Sequence, residues 1–256
     1  MKESTDKETL TDLCWALSYI GDGEGKRIQL YLENNILPRL VELLGHPSLQ
    51  IAIPALRTLG NVITGDDSQT QYAIDAGIIP ALCSLMDSKQ DSAKKEAAWA
   101  ISNITAGSQT QIQLIIDQGV MAKIINLALN DSFDVKRECI WAISNALSGA
   151  SEVQTQIIAS LHATEALCNV LQVNDARTLA IALEGLENLL KKSKAYLNDI
   201  VNLIETCGGL SYMEKLQSHQ NTHIYTKVVA IIETYFGVEE EESTPGNVES
   251  VSIFNF

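Results

Sequence analysis

Trp99 and Asn103 stand four residues apart in EAAWAISNITAG, and Trp141 and Asn145 repeat that spacing in ECIWAISNALSG. Residues i and i+4 share one face of a helix, so each segment presents an indole and a carboxamide in a row. Glu96 and Glu138, three residues before each Trp, add a carboxylate to the row. An indole face attracts a Lys or Arg head and packs along its aliphatic stem. A carboxamide bonds both N–H and C=O of a peptide backbone. Acid, indole and amide in one stripe therefore suit an extended basic peptide, held generically by its backbone and selected by its cations. The plainer reading is that a Trp at helical spacing is core and a Glu beside it a solvated charge. Two copies in register weigh against it, because core packing favours aliphatics and a repeated buried Asn left unpaired costs on the order of a few kcal/mol.

The two copies lie 42 residues apart, an interval that also superimposes Ser102 on Ser144 and Gly107 on Gly149. One interval earlier stand Arg57, Asn61 and Gly65, and one earlier still Trp15, Tyr19 and Gly23. Asp12 keeps the acid three residues before Trp15, whereas Arg57 replaces Trp and is expected to repel a cation, leaving the strongest pocket between Trp99 and Trp141. Asn35, Gly77 and Gly119 form a second marker with the same period, as do Pro38 and Pro80. Periods of about 40 to 47 residues with helical content belong to HEAT or armadillo arrays, whose units bury their apolar faces only against neighbours.

Three helices per unit point to armadillo over HEAT, hence an all-α, right-handed armadillo-repeat superhelix. In the first full unit, 24–65, Lys26–Glu33, Leu37–Leu44 and Leu49–Ile63 read as helices, with Asn34-Asn35 tolerating the left-handed region and Pro38 in a first turn. Units 66–107 and 108–149 repeat the plan, with Ser92 and Asp134 as expected N-caps of the third helix. Unit 150–193 is less regular, carrying Glu184 and Asn188 where Trp and Asn stood, and a last unit spans 194–237. Residues 1–23 match only a third helix, whose Leu10, Leu13, Leu17 and Ile20 are expected to lie against nothing before them; this reads as a shortened array with a weak first helix. Residues 238–256 follow an acid run and are expected to be a disordered tail.

Formal net charge is −14 over 256 residues, which argues against nucleic acid and anionic membranes and for basic partners. No apolar run approaches the length of a membrane span and the start, MKESTDKET, is polar, so a soluble intracellular protein is expected. The five cysteines are scattered without CxxC, which fits a reducing compartment, and all are expected to pack in the core. His46, His162, His219 and His223 show no metal spacing, with His46 and His219 in solvated turns; no metal, cofactor or enzymatic chemistry is indicated.

CWALSYIGDG at 14–23, PALRTLGNVITGDDSQTQ at 54–71, EAAWAISNITAG and ECIWAISNALSG resemble consecutive armadillo repeats of the importin-α (karyopherin-α) family. The substitutions Tyr19 and Arg57 follow in that family's order, and the ending, ETCGGLSYMEKLQSHQN to a terminal FNF, resembles its last repeat and tail. The resemblance implies a nuclear import adaptor for basic nuclear localisation signals of cargo proteins, shuttling between cytoplasm and nucleus. It places these repeats in the C-terminal half of the family's array. By position, Trp99, Asn103, Glu138, Trp141 and Asn145, supported by Ser102 and Thr70, match the family's minor signal-binding site. It implies an export receptor and a nucleoporin as partners of the last repeat, whereas importin-β is not expected to bind without the family's basic N-terminal segment. The competing reading is an armadillo scaffold for adhesion or signalling, whose acidic or apolar partner would need a basic groove where this one reads as acidic.

Overall fold

A computed structural model describes residues 5–22 and 25–237. Among them lie sixteen α-helices: α1 Lys7–Gly21, α2 Gly25–Glu33, α3 Leu37–Leu44, α4 Leu49–Ile63, α5 Asp67–Asp75, α6 Ile78–Leu85, α7 Asp91–Thr105, α8 Gln109–Asp117, α9 Val120–Asn130, α10 Phe133–Gly149, α11 Glu152–Ser160, α12 Ala163–Asn169, α13 Ala176–Lys192, α14 Leu197–Thr206, α15 Gly209–Leu216 and α16 Thr222–Tyr235. The pattern is two short helices and then a long one, repeated into a right-handed solenoid. The expected tail, 238–256, lies outside the described residues.

Local signals set each helix. Asp66 with Gln69, Ser108 with Gln111 and Ser151 with Gln154 form capping boxes at the starts of α5, α8 and α11, each satisfying two otherwise orphaned backbone donors. The turn after each first short helix passes through the left-handed region, at Asn35 (φ 48°), Gly77 (90°), Gly119 (71°), His162 (72°) and Gly208 (79°). Nothing stands within 4 Å of a Cβ built on Gly77 or Gly119, so their backbone angle and not crowding favours glycine there. His162 was not anticipated in this row; His visits the region more readily than most side chains, and its Nδ1 lies 2.7 Å from Glu165 Oε1.

The third helices begin differently from the expectation. α7 starts at Asp91 and α10 at Phe133, so Ser92 and Asp134 lie inside the first turn and not at the N-cap, and neither true cap, Gln90 or Ser132, makes a side-chain cap bond. Before α7, as before α4 and α16, the preceding turn is held instead by an acceptor two residues upstream of its donor, and before α10 Ser132 N–H donates to Asp131 Oδ1 at 2.8 Å. Gln90 N–H donates to Ser88 Oγ at 3.1 Å, and Ser48 N–H and Asn221 N–H donate to Nδ1 of His46 and His219 at 3.0 Å each. These two histidines, expected to be merely solvated, organise their turns.

The long helices α1, α4, α7, α10, α13 and α16 stack side by side, with α7 against α10 the most extensive contact. One apolar core runs the length of the stack, from Leu10 to Ile231. Leu10 is buried in it, with Leu13 and Leu17 half-buried; only Ile20 of that quartet is exposed. Cys14, Cys139 and Cys168 are buried, but Cys83 and Cys207 are only partly covered, so three of the five thiols are fully core. Burial raises the Cys14 thiol to about 11, whereas the neighbouring Cys168 lowers Cys207.

Side chains also reach from unit to unit. Gln111 Nε2 donates to Asp67 O and Gln154 Nε2 to Gln109 O, both at 2.9 Å. Lys94 and Asp131 meet at 2.6 Å with both side chains 14% exposed. Lys192 Nζ donates to the carbonyls of Leu147, Ser148 and Ala150 at 2.6 to 2.7 Å, closing the C-terminal end of α10 from α13. Replacing Lys192 by Met keeps the stem and removes all three bonds, so it should cost about 1.5–3 kcal/mol and lower the thermal midpoint read by circular dichroism. An unchanged midpoint would show that water serves those carbonyls equally well.

Candidate functional site

The stacked third helices bring the sequence-selected side chains onto one face. Trp99, Ser102 and Asn103 of α7, Arg137, Glu138, Trp141 and Asn145 of α10, and Asp175 and Arg177 at the start of α13 line a cavity of about 630 Å³. A second cavity, about 640 Å³, lies further along the same face, lined by Asp12 and Trp15 of α1, Gln50 and Pro54 of α4, and Ser92 of α7 among others. Both indoles of the first cavity are half-buried. A Cβ built on Gly60 would stand 2.1 Å from Trp99 Cζ3, so the indole rests back on α4 where Ser18, Ser102 and Ser144 occupy the register position. Trp15 and Tyr19 stack at 6.0 Å, and Tyr19 is 70% exposed.

The carboxamides have a duty the spacing did not reveal. Asn61 Nδ2 donates to Ser18 O at 2.8 Å and Asn145 Nδ2 to Ser102 O at 2.9 Å, each tying its long helix to the one before. A repeated Asn on this face therefore has a structural use, its amide donor serving the scaffold. Asn103 differs, its Nδ2 being buried without a partner. Ser102 Oγ donates to Trp99 O, and buried Thr70 Oγ1 donates to Ile63 O, so both hydroxyls are engaged within the fold, and Thr70 does not line the cavity.

The charges also differ from the expectation. Arg57 is not a free repelling cation: its Nη2 lies 2.9 Å from Glu96 Oε1, with Glu96 only 10% exposed at its side chain. Arg137 Nε lies 3.4 Å from Glu138 Oε1. The cavity between Trp99 and Trp141 therefore carries two carboxylates and two guanidiniums and is balanced, not acidic. Asp175 is held in its charged form by the Thr178 hydroxyl at 2.6 Å and then the Thr178 N–H at 2.7 Å, which depress its pKa. Arg177 places its guanidinium carbon 5.1 Å from the Trp141 ring centroid. Among the described residues no group of three or more metal-ligating side chains is assembled, and no single helix is long and apolar enough to cross a membrane.

Residues 27–64, 66–106 and 108–148 match the Armadillo/beta-catenin-like repeat family, and 198–250 match the Atypical Arm repeat family. Importin subunit alpha-B of Dictyostelium discoideum is 59% identical over 242 residues, covering 93% of this chain and 47% of that protein. Importin subunit alpha-1b of Oryza sativa subsp. japonica is 44% identical over 261 residues, covering 99% of this chain and 49% of that one. The chain is an armadillo-repeat solenoid similar along almost its whole length to importin-α subunits. It spans about half the length of these relatives. Among solved structures, a designed armadillo repeat protein in complex with the peptide (KR)4 superposes with a TM-score of 0.83 at 30% identity, covering 91% of this chain and 95% of that one. Computationally designed armadillo repeat proteins for modular peptide recognition give 0.83 at 29%, covering 91% and 96%.

Reading the sequence missed Arg137, Asp175 and Arg177 as cavity residues. Arg137 adjoins Glu138, a signal that was present; Asp175 and Arg177 enter from the next unit and show only once the helices are stacked. The Trp99 seat on Gly60 has a direct check. Gly60→Ala should push the indole outward, costing about 1–3 kcal/mol as overpacking does and shifting tryptophan emission. Unaltered stability and emission together would mean that the ring does not rest there.

Proposed function

We propose that this chain binds basic nuclear localisation signals of cargo proteins and thereby serves nuclear import as an adaptor without enzymatic activity, passing between cytoplasm and nucleus. The observation that carries this reading is the cavity where Trp99, Trp141, Asn103 and Asn145 converge from two adjacent helices. Indole faces there take the stems and charges of Lys or Arg, and the Asn oxygens accept from the peptide backbone. Glu138, 18% exposed at its side chain, draws the cationic heads. Similarity to importin-α subunits and to a designed protein whose partner is (KR)4 supports the same chemistry. Trp15, Tyr19 and Asp12 would extend the track, Asn61 would accept from the backbone between, and Arg57 and Glu96 would act there as a pair. Ser102 and Thr70 would support the site through the fold. An export receptor and a nucleoporin acting at the last unit remain part of this proposal.

Arg137 and Arg177 in the lining favour one rival, an armadillo scaffold whose groove takes an acidic or mixed-charge segment. Titrating (KR)4 and an acidic peptide of equal length separates the two. The basic peptide should bind, more weakly as salt rises because exposed charges are screened within about 8 Å at physiological ionic strength. Trp99→Ala/Trp141→Ala should weaken it roughly tenfold or more. Equal binding by wild type and double variant, or preference for the acidic peptide, would refute the assignment.

A further inference from the structure

We propose that Arg177 is a resident occupant of the Trp141 subsite, a cation supplied in cis that an incoming basic side chain must displace. This rests on the groove being a site for a basic peptide. The guanidinium carbon stands 5.1 Å from the Trp141 centroid, the placement in which an indole attracts a Lys or Arg of a ligand, and both residues line the same cavity. The other arginines of this face are held by carboxylates, Arg57 by Glu96 and Arg137 by Glu138. Arg177 rests on the ring.

The helix beneath it is fixed while the side chain is free to swing. Arg177 lies in the first turn of α13, two residues after the N-cap Asp175, which accepts the Thr178 N–H and hydroxyl at 2.7 and 2.6 Å. Arg177 itself is exposed. Displacing it therefore moves one solvated side chain and leaves the stack intact.

The register makes the arrangement particular to this indole. The position that follows Trp141 in the next unit, Arg177, is Asp134 after Trp99 and Gln50 after Trp15, and Gln50 shares the Trp15 cavity as Arg177 shares that of Trp141. Only the Trp141 subsite receives a cation from this position. The Trp99 subsite admits a basic side chain directly, whereas the Trp141 subsite exchanges one cation for another. A ligand thus gains less at Trp141 than its contacts alone would give, and Arg177 sets how strongly a second basic residue is felt.

The test is a double-mutant cycle with (KR)4 as ligand, titrated calorimetrically into wild type, Arg177→Ala, Trp141→Ala and the combined variant, with helicity checked by circular dichroism. Trp141→Leu is a second background in case alanine unsettles α10. Freeing a half-buried indole from its own cation should tighten (KR)4 roughly 2- to 5-fold, and Arg177→Ala should have no effect once Trp141 is gone. Unchanged or weaker binding by Arg177→Ala would overturn the inference, and equal tightening with and without Trp141 would do so too, since it would reflect bulk charge alone. No binding by any of the four would overturn the groove reading and this inference together. Wild-type binding indifferent to Arg177 would overturn only the latter.

Discussion

The long helices are registered to one another by side chains that reach back and bond a carbonyl of the previous unit, and the functional face depends on this constraint. Thr58 Oγ1 donates to Cys14 O at 3.1 Å and Asn61 to Ser18 O; Asn145 donates to Ser102 O. Apolar burial drives the stack together but is indifferent to small slides along the helix axes. A hydrogen bond to one chosen carbonyl is not, because a slide of a fraction of a turn breaks it and strands a half-buried amide. Fixed lateral register is what turns separate i, i+4 rows into a continuous stripe, so that Trp99 and Trp141 bound one cavity and not two unrelated surface spots.

The same bond gives the carboxamide a part in the fold. In Asn61 and Asn145 its nitrogen holds the architecture, whereas the buried amide nitrogen of Asn103 has no such partner. Charge is organised by a similar economy of position. Glu96 and Glu138 are each met by an arginine, and the lining of the main cavity is balanced although the whole chain is strongly acidic. On the proposed reading a basic ligand is drawn by the long-range field of the protein, enters directly at Trp99, and exchanges with Arg177 only at Trp141.

Much of the architecture was legible because the repeat is visible to simple alignment of the chain with itself. The bounds read for the helices at Leu37–Leu44 and Leu49–Ile63 are those observed. Where the reading slipped, the cause was a contact between units. Ser92 and Asp134 looked like caps because their types suit that role, but an acceptor upstream holds the turn and the helix starts two residues sooner. Arg57 looked like an unpaired cation because its partner, Glu96, sits one unit on at a different register position. Arg177 was invisible for the same reason, being brought over Trp141 by the packing of α13 on α10. Same-face spacing within a helix can be counted along a sequence; diagonal neighbours across a stack require the stack.

On the proposed function, cationic side chains of a peptide meet the indoles of the long-helix face. With only three tryptophans in the chain, labelling with 5-fluorotryptophan and following each ¹⁹F resonance through a titration with (KR)4 reads those rings one by one. The account requires the Trp99 and Trp141 resonances to move with saturation and to return as salt displaces the peptide. Saturable binding that leaves both resonances where they were would contradict it.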